Sequence, residues 1–166
     1  MTESLSPTPS GPEAESPPDA DWMQSHCFCT SVRRIDRILT RIYDETIRPS
    51  GLVTTQYSLL STLSRAPADI TLTQLALAID LERSTLSRTL APLERQGFVR
   101  IVPAEDRRAR VVSITPAGRA KLEETRPLWR AAQDRVAGLA GGQRIEETLA
   151  QLVTLVDPIR LSREGE

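Results

Sequence analysis

The sequence predicts a mainly α-helical fold with one small β-hairpin. Three observations carry that expectation. Apolar residues recur at helical spacing in six stretches between Phe28 and Ile159. Two short β-branched runs, Val99-Arg100-Ile101-Val102 and Val111-Val112-Ser113-Ile114, flank a polar link. Ahead of them, residues 1–21 hold Pro7, Pro9, Pro12, Pro17 and Pro18 among Ser, Glu and Gly, with no period of either kind. Such a segment buries too little apolar surface to offset chain entropy, so residues 1–25 read as a disordered tail.

The first helix is expected from Phe28 to Arg48, with Val32, Ile35, Ile38, Leu39, Ile42 and Ile47 on its apolar side and Arg33, Arg34, Arg37 and Arg41 on an exposed one. Pro49-Ser50-Gly51 stops it. A second helix begins near Thr54 or Thr55, buries Leu59, Leu60 and Leu63, and ends before Pro67. Thr71 opens a short third helix with Leu75, Ala76 and Ile79 inside. Thr71 and Gln74 have capping-box spacing, with Thr73 as the alternative cap. After the turn Asp80-Leu81-Glu82, a fourth helix turns Leu86, Leu90 and Leu93 inward and ends at Gly97. The hairpin follows, its link Pro103 to Arg110 carrying Arg107, Arg108 and Arg110. Thr115-Pro116 is a helix start, with an N-cap and a proline at the first position. The long helix beyond has Leu122, Thr125, Trp129, Ala132, Val136 and Leu139 at alternating spacings of three and four, the seam of a helix that packs lengthwise on another. A bend is expected at Pro127 and an end at Gly141-Gly142. The last helix carries Ile145, Leu149, Leu152, Val153, Val156 and Ile159.

Charge is distributed unevenly. The 166 residues carry a net charge of -1, but Glu3, Glu13, Glu15, Asp19 and Asp21 lie in the first 21 residues with no basic residue, leaving +4 on the rest. From Glu82 to Arg110, seven arginines stand against four acidic residues. On the fourth helix the inward leucines leave Arg83, Ser84, Thr85, Ser87 and Arg88 on the exposed N-terminal turns, and all five are donors to phosphates or base edges. Two helices joined by a short turn and followed by a basic hairpin make a DNA-reading unit: the second helix enters the major groove and the hairpin tip reaches the adjacent backbone or minor groove. The fold class is therefore a winged helix-turn-helix (residues 51–115) with helical segments before and after it (26–50 and 116–166), which the resemblance given below makes a helical dimerisation region.

Other classes fit less well. There is one histidine, no phosphate-cradling glycine loop and no nucleophile–base pairing, so an enzyme is not expected. Base stacking on single strands is disfavoured, since Phe98 is the only aromatic from Leu59 to Leu128. A protein-binding winged-helix module is the alternative from another class, but it has no need of an arginine-tipped wing. No apolar run approaches the ~20 residues of a membrane span, and no secretion signal is evident. A cytoplasmic protein without a membrane partner follows. His26-Cys27-Phe28-Cys29 gathers three soft ligands, but they do not share a helix face and no second cluster completes a site. Neither metal nor cofactor is expected.

Several segments together resemble the MarR family of transcriptional regulators. They are Leu72-Thr73-Gln74-Leu75-Ala76, Arg83-Ser84-Thr85-Leu86-Ser87-Arg88, Leu93-Glu94-Arg95-Gln96-Gly97-Phe98-Val99, and Asp106-Arg107-Arg108-Ala109-Arg110-Val111 running into Ile114-Thr115-Pro116-Ala117-Gly118. Tyr43-Asp44-Glu45 and Gly51-Leu52-Val53-Thr54-Thr55-Gln56-Tyr57 also fit. The resemblance implies a homodimer whose first and last two helices build the dimerisation domain and whose two winged units read a near-palindromic duplex. It puts Arg108 at the wing tip. Many members are repressors released by small aromatic or phenolic ligands, or by cysteine oxidation. Counted back from Gln56-Tyr57, Cys29 falls nearer than Cys27 to the reactive cysteine of peroxide-sensing members, and both are redox candidates; buried, inert thiols are the plain alternative. Trp129 reads as dimer core, and Tyr57 and Trp22 as ordinary packing ahead of a ligand cleft. Three residues depart from the family pattern. Asp80 stands where glycine is usual, Glu82 where a Ser or Thr cap is usual, and Pro92 interrupts the fourth helix, where a kink is expected.

Overall fold

The computed structural model describes residues 27–68, 70–104 and 109–164, with side chains as far as Val156. The predicted tail, Trp22, His26, Arg107 and Arg108 lie outside the described residues. The chain divides after Arg37 into two units. In the first, helix α1 (Phe28–Ile47) starts as the Ser31 amide donates to the Cys27 carbonyl at 3.0 Å. Phe28, Val32 and Ile35 are exposed there.

The second unit begins within α1 and holds the core. Of the apolar residues expected along α1, only Ile47 is buried. Proline prevents the α-helix from continuing, and one 3-10 turn, Arg48–Ser50, ends at Gly51 with φ 77°. The Ser50 hydroxyl donates to the Ile47 carbonyl (2.7 Å) and accepts from the Leu52 amide (3.2 Å), so a buried polar group is satisfied. Helix α2 (Thr54–Arg65) opens without a polar N-cap side chain, since Val53 occupies that position. Asp44, ten residues upstream, supplies the acceptor: one carboxylate oxygen takes the Thr54 amide at 2.7 Å and its hydroxyl at 2.6 Å. A carboxylate at this end of a helix is also favoured by the helix dipole.

Helix α3 (Leu72–Ala78) is capped by Thr71, whose hydroxyl accepts from the Gln74 amide while the Gln74 side chain accepts from the Thr71 amide. That decides between Thr71 and Thr73. Helix α4 (Arg83–Arg95) runs through Pro92 without a break. Strands β1 (Val99–Pro103) and β2 (Arg110–Ile114) pair antiparallel, with Val99 opposite Ile114 and Pro103 opposite Arg110. One bridge was not foreseen: Thr71 pairs with Val111, and the Val112 amide donates to the Ile70 carbonyl at 3.0 Å. Helices α5 (Pro116–Ala140) and α6 (Gly142–Glu164) complete the order.

The core gathers Leu59, Leu60 and Leu63 of α2, Leu75 of α3, Leu86, Leu90 and Leu93 of α4, and Val99 and Val112 of the hairpin, with Leu122 of α5. The seam of α5 is buried at Leu122, Thr125, Ala132 and Val136, and Leu139 at its end is exposed. Trp129 is not free for a dimer core alone, because it stacks on the buried Tyr57 with ring centroids 5.8 Å apart.

At the start of α5, Thr115 is the N-cap, its hydroxyl accepting from the Gly118 amide at 3.0 Å. Gly118 is buried against strand β1's entrance: a Cβ there would overlap the Phe98 carbonyl oxygen and come within 2.9 Å of the Ile114 side chain. The obstacle is backbone and cannot rotate away. Gly118→Ala is therefore expected to destabilise the fold by about 2–3 kcal/mol, read as a lowered urea midpoint. An unchanged midpoint would show that the α5 start does not sit against Phe98.

Candidate nucleic-acid interface

Helix α4 has two dissimilar faces. Leu86, Leu90 and Leu93 are fully buried. Arg83, Ser84, Thr85, Ser87 and Arg88 are all exposed, so the predicted set stands together on the first two turns. One detail differs from the expectation. The Ser87 hydroxyl donates to the Arg83 carbonyl at 2.8 Å, so it offers acceptors outward, not its hydrogen. Among the described residues no such bond engages the Ser84 side chain, and the Thr85 carbonyl accepts from the Thr89 hydroxyl at 3.1 Å.

Two turns of one type set how α4 is presented. At the end of α3, the Leu81 amide reaches the Ala76 carbonyl (2.9 Å) and the Asp80 amide the Leu77 carbonyl (3.3 Å), with Asp80 at φ 53°. This is a Schellman turn, and aspartate tolerates the left-handed position that glycine usually fills. At the end of α4, Phe98 reaches back to Leu93 and Gly97 to Glu94, both at 2.9 Å, with Gly97 at φ 73°. Glu82 is the N-cap of α4 and makes no capping hydrogen bond with its side chain. The first-turn amides of α4 thus keep free donors beside the exposed arginines.

The wing adds a second cationic element. Its pairing extends past the strands through the Ala104 amide, which donates to the Ala109 carbonyl at 2.9 Å. Arg110 is exposed at the far end of β2. Arg100, which the sequence reading passed over, is exposed opposite Ser113 on the face of the hairpin away from Val99 and Val112. Strand alternation was the signal available for it. Among the described residues, ion pairs join only Lys121–Glu124, Arg126–Glu123 and Arg135–Glu45. Arg83, Arg88, Arg100 and Arg110 take part in none, so their guanidinium groups are available to an external anion.

Cys27 and Cys29 are free thiols, half-buried and exposed respectively. The Cys27 thiol is held below the ordinary thiol range by hydrogen bonds to the Thr30 side chain and then the Thr30 backbone. Among the described residues no group of His, Cys, Asp and Glu is arranged to hold a metal ion. No described helix is long and apolar enough to cross a membrane.

Known proteins share this arrangement. The sequence profile of the MarR family matches residues 50–109. The Mycobacterium tuberculosis transcriptional regulator MosR, solved in complex with DNA, is 37% identical over 81% of this chain and 99% of its own, with a TM-score of 0.69. CouR, a transcriptional repressor bound to a 23-mer duplex, is 23% identical over 81% of this chain and 95% of its own, with a TM-score of 0.72. Escherichia coli MarR is 22% identical over 79% and 97%, with a TM-score of 0.63. The last two share the fold; the identity to MosR along nearly its whole length, with the matched profile, goes further. The chain belongs to the MarR family of winged helix-turn-helix transcriptional regulators.

Proposed function

We propose that the chain is a homodimeric repressor that reads a near-palindromic DNA duplex in the cytoplasm and is released by a small aromatic ligand. The observation that carries the reading is α4, with three leucines fully buried on one side and Arg83, Ser84, Thr85 and Arg88 exposed on the other. A helix of that kind delivers donors to base edges while its leucines fix it to the protein. The DNA complex of MosR supports the same use of the unit here. Arg108 with Arg107 and Arg110 forms the wing contact in this reading, and Ser87 an acceptor beside Arg88. Residues 51–115 are the DNA-binding domain, and residues 26–50 and 116–166 the dimerisation region.

Dimerisation is supported by apolar surface the single chain leaves open. Phe28, Val32, Ile35 and Ile38 of α1 and Leu149, Leu152, Val153 and Val156 of α6 are all exposed. Patches of this kind on two helices fit an obligate partner. Release by an aromatic ligand draws support from a protein of the same fold. CouR has been solved with p-coumaroyl-CoA, an aromatic thioester.

A second reading, thiol-based sensing, is favoured by the Cys27 environment. Two hydrogen bonds to Thr30 favour the thiolate, the form that attacks a hydroperoxide. The thiolate sulfur bonds to the terminal peroxide oxygen as the O–O bond breaks, giving a sulfenic acid and an alkoxide that takes a proton from water to leave as the alcohol. The thiolate-favouring bonds fall on Cys27, whereas position relative to Gln56-Tyr57 favours Cys29.

Sedimentation at micromolar concentration should give twice the 18.4 kDa chain mass; a compact monomer would refute the dimer. On duplex DNA from upstream of its own gene, Arg108→Ala should weaken binding and lower the salt slope by about one. Arg88→Ala should instead relax sequence preference by about 1–3 kcal/mol at the base it contacts. Unchanged affinity and slope for Arg108→Ala would remove the wing from the interface. Phenolic compounds should release wild type and Cys27→Ser alike if the ligand reading holds. Release by organic hydroperoxide that disappears in Cys27→Ser or in Cys29→Ser would select the thiol reading, and the variant that loses it identifies the sensing thiol.

A further inference from the structure

Glu82 is an acidic side chain at the tip of a helix otherwise armed with donors. Its backbone is fixed on both sides. The Schellman turn at Asp80 precedes it, and its own φ of -64° and ψ of 139° are those of an N-cap. The Leu86 amide donates to its carbonyl at 2.9 Å. Its side chain does none of the usual work of that position, because it accepts no hydrogen bond from the first turn. Nor does it pair with Arg83 or Arg88: among the described residues Glu82 has no ion-pair partner, and it is exposed.

A free carboxylate in that place is unfavourable for indiscriminate DNA binding. It has acceptors only, and every backbone phosphate repels it. It is compatible with a duplex only where a base edge offers it a hydrogen. In the major groove, guanine presents N7 and O6 acceptors, and thymine an O4 acceptor and a methyl group. Adenine offers its N6 amino group, but beside the N7 acceptor, which opposes a second carboxylate oxygen. Cytosine offers its N4 amino group without a neighbouring acceptor on the same base. We propose that Glu82 is a specificity residue that selects cytosine, through N4, at one base pair under the N-terminus of α4. It does so as much by excluding guanine and thymine as by attracting cytosine. This rests on the reading of α4 as the helix that enters the major groove.

A purely structural role makes a different claim. A negative charge at a helix N-terminus stabilises the helix, and its loss would change stability without changing the order of preferred bases. The discriminating measurement is selection of duplexes from a randomised pool by wild type, Glu82→Ala, Glu82→Gln and Arg88→Ala, with folding checked by circular dichroism. Wild type should enrich cytosine at one position that Glu82→Ala loses, with discrimination there falling about fivefold or more. Glu82→Ala should also bind unrelated duplex more tightly than wild type. Glu82→Gln should move the preference towards adenine, whose N6 and N7 match a side-chain amide. If Glu82→Ala selects the same bases as wild type while Arg88→Ala loses one of its own, the Glu82 proposal is overturned and the recognition-helix reading survives. If neither variant changes any preference, both fall.

Discussion

The molecule turns on the meeting of the end of α4 with the start of α5. Gly97, in its left-handed turn, and Phe98 present two carbonyls to Thr115. The Thr115 hydroxyl donates to the Gly97 oxygen at 2.6 Å, with the Phe98 oxygen 3.2 Å away, and the Thr115 amide donates to that Phe98 oxygen at 3.0 Å. The same hydroxyl caps α5 through the Gly118 amide. One threonine thus ties α4, the root of the hairpin and the long helix α5 together. The contact is so close that position 118 has no room for a side chain. Any displacement of the α5 start is felt at once by α4, because no flexible link lies between them.

Around that joint the polar groups are divided by task. Polar groups that hold the fold are paired: Ser50, Thr71 with Gln74, Thr115, and Asp44 with Thr54. Of the three ion pairs among the described residues, two lie within α5 and the third links α5 to Glu45 of α1. Among the described residues, Arg83 and Arg88 of α4 and Arg100 and Arg110 of the hairpin are left out of such pairs. An internal ion pair there would compete with phosphate for the same guanidinium and weaken the proposed contact. Glu82 is the exception in sign and is left equally unpaired, which is what makes it informative.

The apolar surface is divided in a similar way. The winged unit closes its core with Ile47 of α1 and Leu122 of α5, and Leu60, Leu75, Leu86, Leu90, Leu93 and Val112 are fully buried. Helices α1 and α6 leave apolar residues exposed, the surface on which the proposed dimer rests. Tyr57 and Trp129 join α2 to α5 by ring stacking.

Much of this was legible in the sequence because it is local. The leucine face of α4, the capping box at Thr71, the Thr115-Pro116 start and the alternation of the hairpin are all written within three or four residues, where helix and strand periods act. The exposed positions of Arg83, Ser84, Thr85, Ser87 and Arg88 follow from the same period, since burying three leucines leaves them no other side. Tertiary structure decided what depends on distant partners. Asp44 capping α2, the Thr71–Val111 bridge, the Tyr57–Trp129 stack and the crowding at Gly118 join residues far apart in sequence, and no local period encodes them. Pattern alone marked Glu82 as a weak cap. Only the folded chain leaves its carboxylate without a partner among the described residues, because that depends on where the neighbouring donors come to lie.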